Sequence, residues 1–184
     1  MSRKTLTKIF ALCLCMIPCG GVNAAQDKTS QVIPAARAAD VASIDAIVAS
    51  VYDVISGPAG QKRDWDRMRS LFIPGARLVP VNGQAGEARA ARVLSVEDYI
   101  ARSSAVLEKQ GFFERERARR LEKFGHIAQA FSTYESRRKA DDPAPFSRGI
   151  NSFQLMNDGM RWLIVTIFWE AEGPDNPIPP EYLK

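Results

Sequence analysis

The residues of this 184-residue chain whose types and spacing suit chemistry are few, and most lie between positions 112 and 169. His126 is the one histidine, so a histidine-rich metal site is excluded and a Ser-His-Asp system would have to use it. Beside Gly125, at the entry to a turn, it reads either as a general base near neutral pH or as an exposed turn-end residue. The second reading is simpler, because the sequence shows no partner to orient the imidazole. Glu114, Glu116 and Glu122 alternate with Arg115, Arg117, Arg119 and Arg120. A glutamate facing an apolar cavity would hold its proton toward neutral pH and could shuttle it. On a solvated face the same residues would form cross-strand ion pairs worth little each, which is the usual meaning of a charge run. If there is acid–base chemistry, Glu116 or His126 is the candidate base and Tyr134 the candidate proton donor. No metal ligand set and no cofactor motif is present.

A second group of candidates is aromatic and polar. Trp65, Tyr99, Phe131, Tyr134, Trp162, Phe168 and Trp169 are of types that more often fill a core than line a ligand platform. Ala128, Ala130 and Ser132, however, give one face of a strand only small side chains. They either let a helix approach closely or leave volume for a ligand. In the ligand reading, Tyr134, Asn151, Gln154 and Trp169 supply the few directional groups that a mostly apolar pocket needs.

The elements that must position these residues follow from periodicity. Asp40 is a plausible N-cap for a helix whose apolar stripe is Val41, Ile44, Val48, Val51 and Ile55, widened by Ile47 and Tyr52, with Ser43, Asp45, Ser50 and Asp53 opposite and a stop at Gly57-Pro58. Asp64 caps a second, shorter helix with Trp65, Met68, Leu71 and Phe72 on one face, ended by Pro74-Gly75. A short strand over 76–81 follows, then a turn at Asn82-Gly83 and a loop or weak return strand to Arg92. Ser95 and Asp98 form a capping box for a third helix, with Leu94 and Tyr99 as its staple and Ile100, Ser103, Val106 and Leu107 as its face, until Gly111 stops it.

From Phe112 to Lys123 helix propensity and topology disagree. The residues are good helix formers, yet Gly111 has just ended a helix and a strand partner lies across the Phe124-Gly125 turn, so a strand is expected. Its partner spans 127–137, with Ile127, Gln129, Phe131, Thr133 and Glu135 on one face and Ala128, Ala130, Ser132 and Tyr134 on the other. A hairpin over 150–156 and 162–169 turns at Asp158-Gly159. Its second strand carries Trp162, Ile164, Thr166 and Phe168 on one face and Leu163, Val165, Ile167 and Trp169 on the other. Both faces need cover: helices on one side, a second subunit on the other.

Arg3, Lys4 and Lys8 followed by an apolar run over 9–17 and a small-residue exit at Val22-Asn23-Ala24 read as a cleavable signal peptide over 1–24, hence a periplasmic or secreted protein. A retained anchor is the lesser alternative, since the run is well short of the ~20 residues that span a bilayer. Cys13, Cys15 and Cys19 all lie in that leader, so a mature chain would have neither disulfide nor thiolate site and must be stabilised by its core. Removing the three leader cations from 25 Lys+Arg leaves 22 against 21 Asp+Glu. So balanced a chain has no electrostatic reason to seek nucleic acid or to insert stably in a membrane once the leader is cut. A flexible lead over 25–39, one domain over 40–173 and a Pro-rich tail over 174–184, lying back through Ile178, Tyr182 and Leu183, complete the division.

Asp64-Trp65-Asp66 leading to Leu71-Phe72-Ile73-Pro74-Gly75-Ala76, and Asn157-Asp158-Gly159-Met160-Arg161-Trp162 leading to Trp169, resemble the nuclear transport factor 2-like superfamily, which includes SnoaL-like proteins. The resemblance implies a cone-shaped α+β fold, N-terminal helices packed on a curved antiparallel sheet, commonly dimeric through the outer sheet face, with an internal pocket. Members include isomerases, cyclases and dehydratases as well as binding modules, and enzymatic ones place an Asp, Glu or His inside the cone. The resulting expectation is an exported domain that binds a small apolar molecule, with no catalytic activity assignable. A SnoaL-like acid–base enzyme and a dimeric accessory protein of the cell envelope are the alternatives.

Overall fold

Ser43, and not Asp40, starts the main N-terminal helix. In the computed structural model, which describes residues 34–82 and 88–184, the Ser43 hydroxyl accepts the Ala46 amide and caps α2 (Ile44–Ile55). Asp40 lies instead in a one-turn helix, α1 (Ala38–Val41), and its carboxylate is gripped by both ends of the Arg67 guanidinium at 2.7 and 3.0 Å. That fork holds the Asp40 carboxyl below its ordinary range, and a hydrogen bond from Ser50 adds to it. Ser50, assigned to the solvent side by periodicity, is therefore buried. The apolar stripe of α2 is as expected, with Ile47 and Val48 fully enclosed. The residues of the leader and Gly83 lie outside the described ones.

Asp64 caps α3 (Trp65–Ser70) through the Arg67 amide, as its position implied. The helix ends before Leu71, and Phe72 already belongs to β1 (Phe72–Asn82). Pro74-Gly75 thus does not stop a helix. It sits where the register of β1 slips between Phe72 and Arg77, a place where a residue without an N–H costs no ladder bond. β2 (Ala90–Ala91) is the weak return strand. α4 (Val96–Gln110) has the full Ser95/Asp98 capping box and ends at Gly111, whose φ of +69° explains the glycine. Ile100 and Leu107 face the core, while Val106 is 49% exposed, one step of the helical rotation too far round.

Topology prevails over propensity from Phe112 onward: β3 (Phe113–Phe124) and β4 (Ile127–Arg137) form a long hairpin, followed by β5 (Ser147–Asn157) and β6 (Trp162–Ala171). The sheet order is β2-β1-β6-β5-β4-β3. It is mixed and not wholly antiparallel, because β1 pairs parallel to β6. A long crossover separates those two in sequence, and only a crossover permits a parallel pair. Helices α2 and α4 cover one face, α2 lying on β3 and β6 and α4 on β1. None of the helices among the described residues is long and apolar enough to cross a membrane.

Strict alternation fails in two strands. In β6 the pairing slips opposite Gln154 and Leu155, so that Ile164 and Ile167 both meet inner-face residues, Leu155 and Phe153. Phe168 is left on the outer face, 46% exposed. In β3 the slip falls between Glu116 and Ala118, which turns Arg119 to the same face as Glu116. The tail does lie back on the outer face. Ile178 is buried, the Tyr182 ring tilts on Phe131 at 5.8 Å, and Thr133 donates its hydroxyl to the Tyr182 carbonyl at 2.5 Å.

Arg63 ties the helical layer together. Buried in the bend after α2, it donates to the carbonyls of Ile55 (2.9 Å), Gly57 (2.7 Å), Leu107 (3.2 Å) and Gln61. These close the C-terminal ends of α2 and α4 over one guanidinium, where a cation also meets the negative ends of both helix dipoles. Arg63→Met leaves buried acceptors unpaired, and a loss of about 3 kcal/mol in urea unfolding is expected. A variant as stable as the parent would show that water replaces the guanidinium without cost.

Candidate functional site

Between the helical layer and the inner face of the sheet lies a cavity of about 130 Å³. Its apolar wall includes Val51 and Ile55 from α2, Leu78 from β1 and Phe153 and Ile167 from the central strands. Its polar atoms come from Glu114, Tyr99, Tyr134 and Asn151, with the Trp169 indole completing the lining. The volume is close to the ~150 Å³ of an apolar cavity that takes one benzene.

Glu114 is the group that gives this cavity a chemistry. Its β-strand phase turns the carboxyl inward, where it accepts the Ser136 hydroxyl at 2.7 Å and the Asn151 amide at 3.4 Å. Burial among apolar and aromatic walls pushes the carboxyl up to about 7, against the smaller downward pull of those two hydrogen bonds. The residue also borders a second, more open cleft between α2 and β3, lined by Tyr52, Ser56, Arg115 and Arg137, so its carboxyl stands at a wall shared by both spaces. Burial, and next the nearby Glu114 charge, hold the Tyr52, Tyr99 and Tyr134 hydroxyls above their ordinary value. They remain protonated donors.

A second polar row runs away from the cavity. Asn151 donates to the Tyr52 hydroxyl at 3.1 Å, Tyr52 and Ser132 share a 2.6 Å hydrogen bond, and Ser132 donates to Glu116 at 2.6 Å. Since the Ser132 proton goes to Glu116, the Tyr52 proton must go to Ser132. Glu116 is in turn forked by Arg119 at 2.7 and 2.6 Å, and Arg119 reaches Asp45 at 2.6 Å. Every proton in the row points from Asn151 toward Glu116.

The positions singled out in the sequence divide accordingly. Tyr134, Asn151 and Trp169 come together in the cavity lining. Tyr134 lies flat over Gly149, where a Cβ would come within 2.5 Å of the phenol oxygen, so only glycine fits beneath it. Gln154 is not in the site: it is exposed on the outer face and bonds Gln129 at 3.3 Å, because it alternates with the inward Phe153 and Leu155. His126 is an exposed turn residue whose backbone carbonyl accepts the Asn157 amide. It is too far along the hairpin to serve the cavity. Glu116 is engaged by Arg119 and Ser132 and does not line the cavity. The carboxyl at the cavity is that of Glu114, two residues earlier on the same face. Ala128, Ala130 and Ser132 serve the close-approach role, letting α2 bring Tyr52 onto Ser132, and do not line the ligand space. Among the described residues no three His, Cys, Asp or Glu side chains gather as a metal site.

Comparison with solved structures supports the architecture. A protein of unknown function with a cystatin-like fold from Nostoc punctiforme matches 71% of this chain and 90% of its own length, with 13% identity and a TM-score of 0.53. Nuclear transport factor 2-like proteins of unknown function from Methylobacillus flagellatus and Silicibacter pomeroyi match 71% of this chain and 95% and 94% of theirs, at 16% and 17% identity, each with a TM-score of 0.45. The match with a TM-score above 0.5 supports a cystatin-like α+β fold. No protein-family model matches the sequence, and no curated protein matches it. One fold can host unrelated tasks, so a function must be argued from the cavity itself.

The raised Glu114 carboxyl makes stability depend on pH. Unfolded, it ionises near its ordinary 4.5, and folded near 7, so in between the native state holds a proton that the unfolded state lacks. Its contribution is full below the lower value, declines as pH rises and is lost above the upper one, amounting to roughly 3 kcal/mol. Thermal unfolding of the parent should therefore fall from about pH 5 to about pH 8 relative to Glu114→Gln, whose amide keeps the neutral shape. Parallel profiles for the two proteins would mean that Glu114 is ionised throughout.

Proposed function

We propose that this nuclear transport factor 2-like domain binds a small, largely apolar molecule, whose single polar end meets Glu114 and Asn151. The observation that carries this reading is the partly open, aromatic-lined cavity with one titratable carboxyl at its wall. Such a chamber recognises by shape on most sides and by hydrogen bonding at one point. The test uses phenol and benzene with NMR of the Val51, Ile55, Leu78 and Ile167 methyls. Both probes should shift those methyls and phenol should bind more tightly. Unmoved methyls at millimolar probe would overturn the reading. Native mass spectrometry of protein taken from its own cells then identifies the retained molecule.

A second reading, acid–base catalysis of the SnoaL-like kind, is favoured by the same carboxyl being half-ionised near neutral pH, where a general base works best. In it Glu114 moves the proton and Tyr134 or Asn151 holds a developing negative charge.

The proposal includes export by the residue 1–24 leader to a periplasmic or secreted site, and pairing of two copies over the outer face of β6. What supports pairing is the apolar groove there, about 360 Å³, in which Phe168 and Ile150 stay uncovered beside Pro177 and Ile178. Sedimentation of the leader-less protein at micromolar concentration should show a dimer that Phe168→Glu splits. A parent that sediments as a monomer counts against pairing.

A further inference from the structure

Most part-buried glutamates among the described residues are matched with arginines, and Glu114, which lines the cavity, is not. Glu97 is forked by Arg69, Glu116 by Arg119 and Glu172 by Arg148, while Glu135 meets both Arg115 and Arg137. Glu114 has only the neutral donors Ser136 and Asn151. The charged groups that share its outer cleft are committed elsewhere: Arg115 and Arg137 to Glu135 at 3.2 and 3.0 Å, Asp53 to Arg67, and Glu116 to Arg119. Its tyrosine neighbours, Tyr99 and Tyr134 in the cavity and Tyr52 in the cleft, are all neutral. The cavity lining contains no Lys, Arg or His.

What surrounds the carboxyl instead is aromatic. Tyr99, Phe112, Tyr134, Phe153 and Trp169 line the same space, and Tyr99 and Trp169 stand edge to face at 6.3 Å. Aromatic faces around one carboxylate attract a compact, weakly hydrated organic cation. The rings supply quadrupole attraction on several sides and the carboxylate balances the charge. An anion would meet neutral donors but no cation, and the ionised Glu114 would repel it. A neutral apolar molecule would leave the carboxyl without a counter-ion.

We propose that the ligand of this cavity is a small organic ammonium ion, whose positive charge completes the ion pair that Glu114 lacks among the described residues. This rests on the cavity-binding reading and specifies the class of ligand. The cation requires the ionised carboxylate, so binding displaces the Glu114 proton. Apparent affinity is then reduced by the fraction of protein still protonated. The dependence is opposite to that of a neutral hydrogen-bond acceptor, which needs the protonated carboxyl and is released as pH rises.

The experiment titrates the leader-less protein with tetramethylammonium, whose charge does not vary with pH, and with tert-butanol as a neutral molecule of similar shape. The readout is the same methyl NMR signals, at several pH values. Tetramethylammonium should bind about tenfold more tightly per unit between about pH 5 and about pH 6.5 and level off above about pH 8. It should exceed tert-butanol at neutral pH, and Glu114→Gln should weaken it at least about tenfold while benzene still binds. The pH profile of the parent stands as the test even if that variant does not fold. Benzene and phenol entering while tetramethylammonium does not would overturn the cation and leave cavity binding intact. Equal binding of the neutral probe, or affinity that falls with rising pH, would also overturn the cation. No entry by any probe would overturn both readings.

Discussion

The site depends on holding one carboxyl among aromatic walls without a counter-charge. Removing a charge from water costs several kcal/mol unless it is paired, so such a group either finds a cation or keeps its proton. Most carboxylates of this domain take the first course through arginine, which explains why so many Arg residues lie on the sheet and in the α3 region. Glu114 takes the second. Its hydrogen bonds to Ser136 and Asn151 are enough to fix the carboxyl in place and too few to keep it ionised at acidic pH. Asn151 is itself held by the Tyr52–Ser132–Glu116 row, so the orientation of the Glu114 carboxyl is set in part by residues that do not line the cavity.

Two local irregularities shape that arrangement. Without the slip in β3, Arg119 would face away from Glu116 and leave a second inward carboxylate unmatched. Without the slip in β6, Ile164 and Ile167 would point to opposite faces and one wall of the cavity would be missing. Both lie in strands that a regular period of two describes well on either side. They alter which residues share a face while leaving the hydrogen-bonded ladder nearly continuous.

Much of the architecture was legible from local signals. The capping residues Asp64 and Ser95, the glycine after α4 and the turn at Asp158-Gly159 each carry their own physical reason, and each is where it was expected. The strand identity of 113–124 was legible only by setting topology above propensity, since its Glu and Arg residues prefer a helix in isolation. The parallel β1–β6 pair was not legible, because nothing local in either strand records which neighbour it joins. At the site, Tyr134, Asn151 and Trp169 were recoverable from alternation along their strands. Glu114 and Glu116 share one face, and choosing between them requires knowing that a bulge directly after Glu116 brings an arginine to it. His126 drew attention by its chemistry and not by its place, and Gln154 fell one position out of phase.

The parallel pairing of β1 with β6 also governs the order in which the molecule can assemble. β1 emerges early in synthesis, yet apart from two residues of β2 and a bridge to Leu94 its ladder partner is β6, the last strand. Its edge stays unsatisfied until almost everything else has been made, and long-range pairings of this kind form slowly. A nascent chain of this topology cannot close its sheet until its last strand has been made.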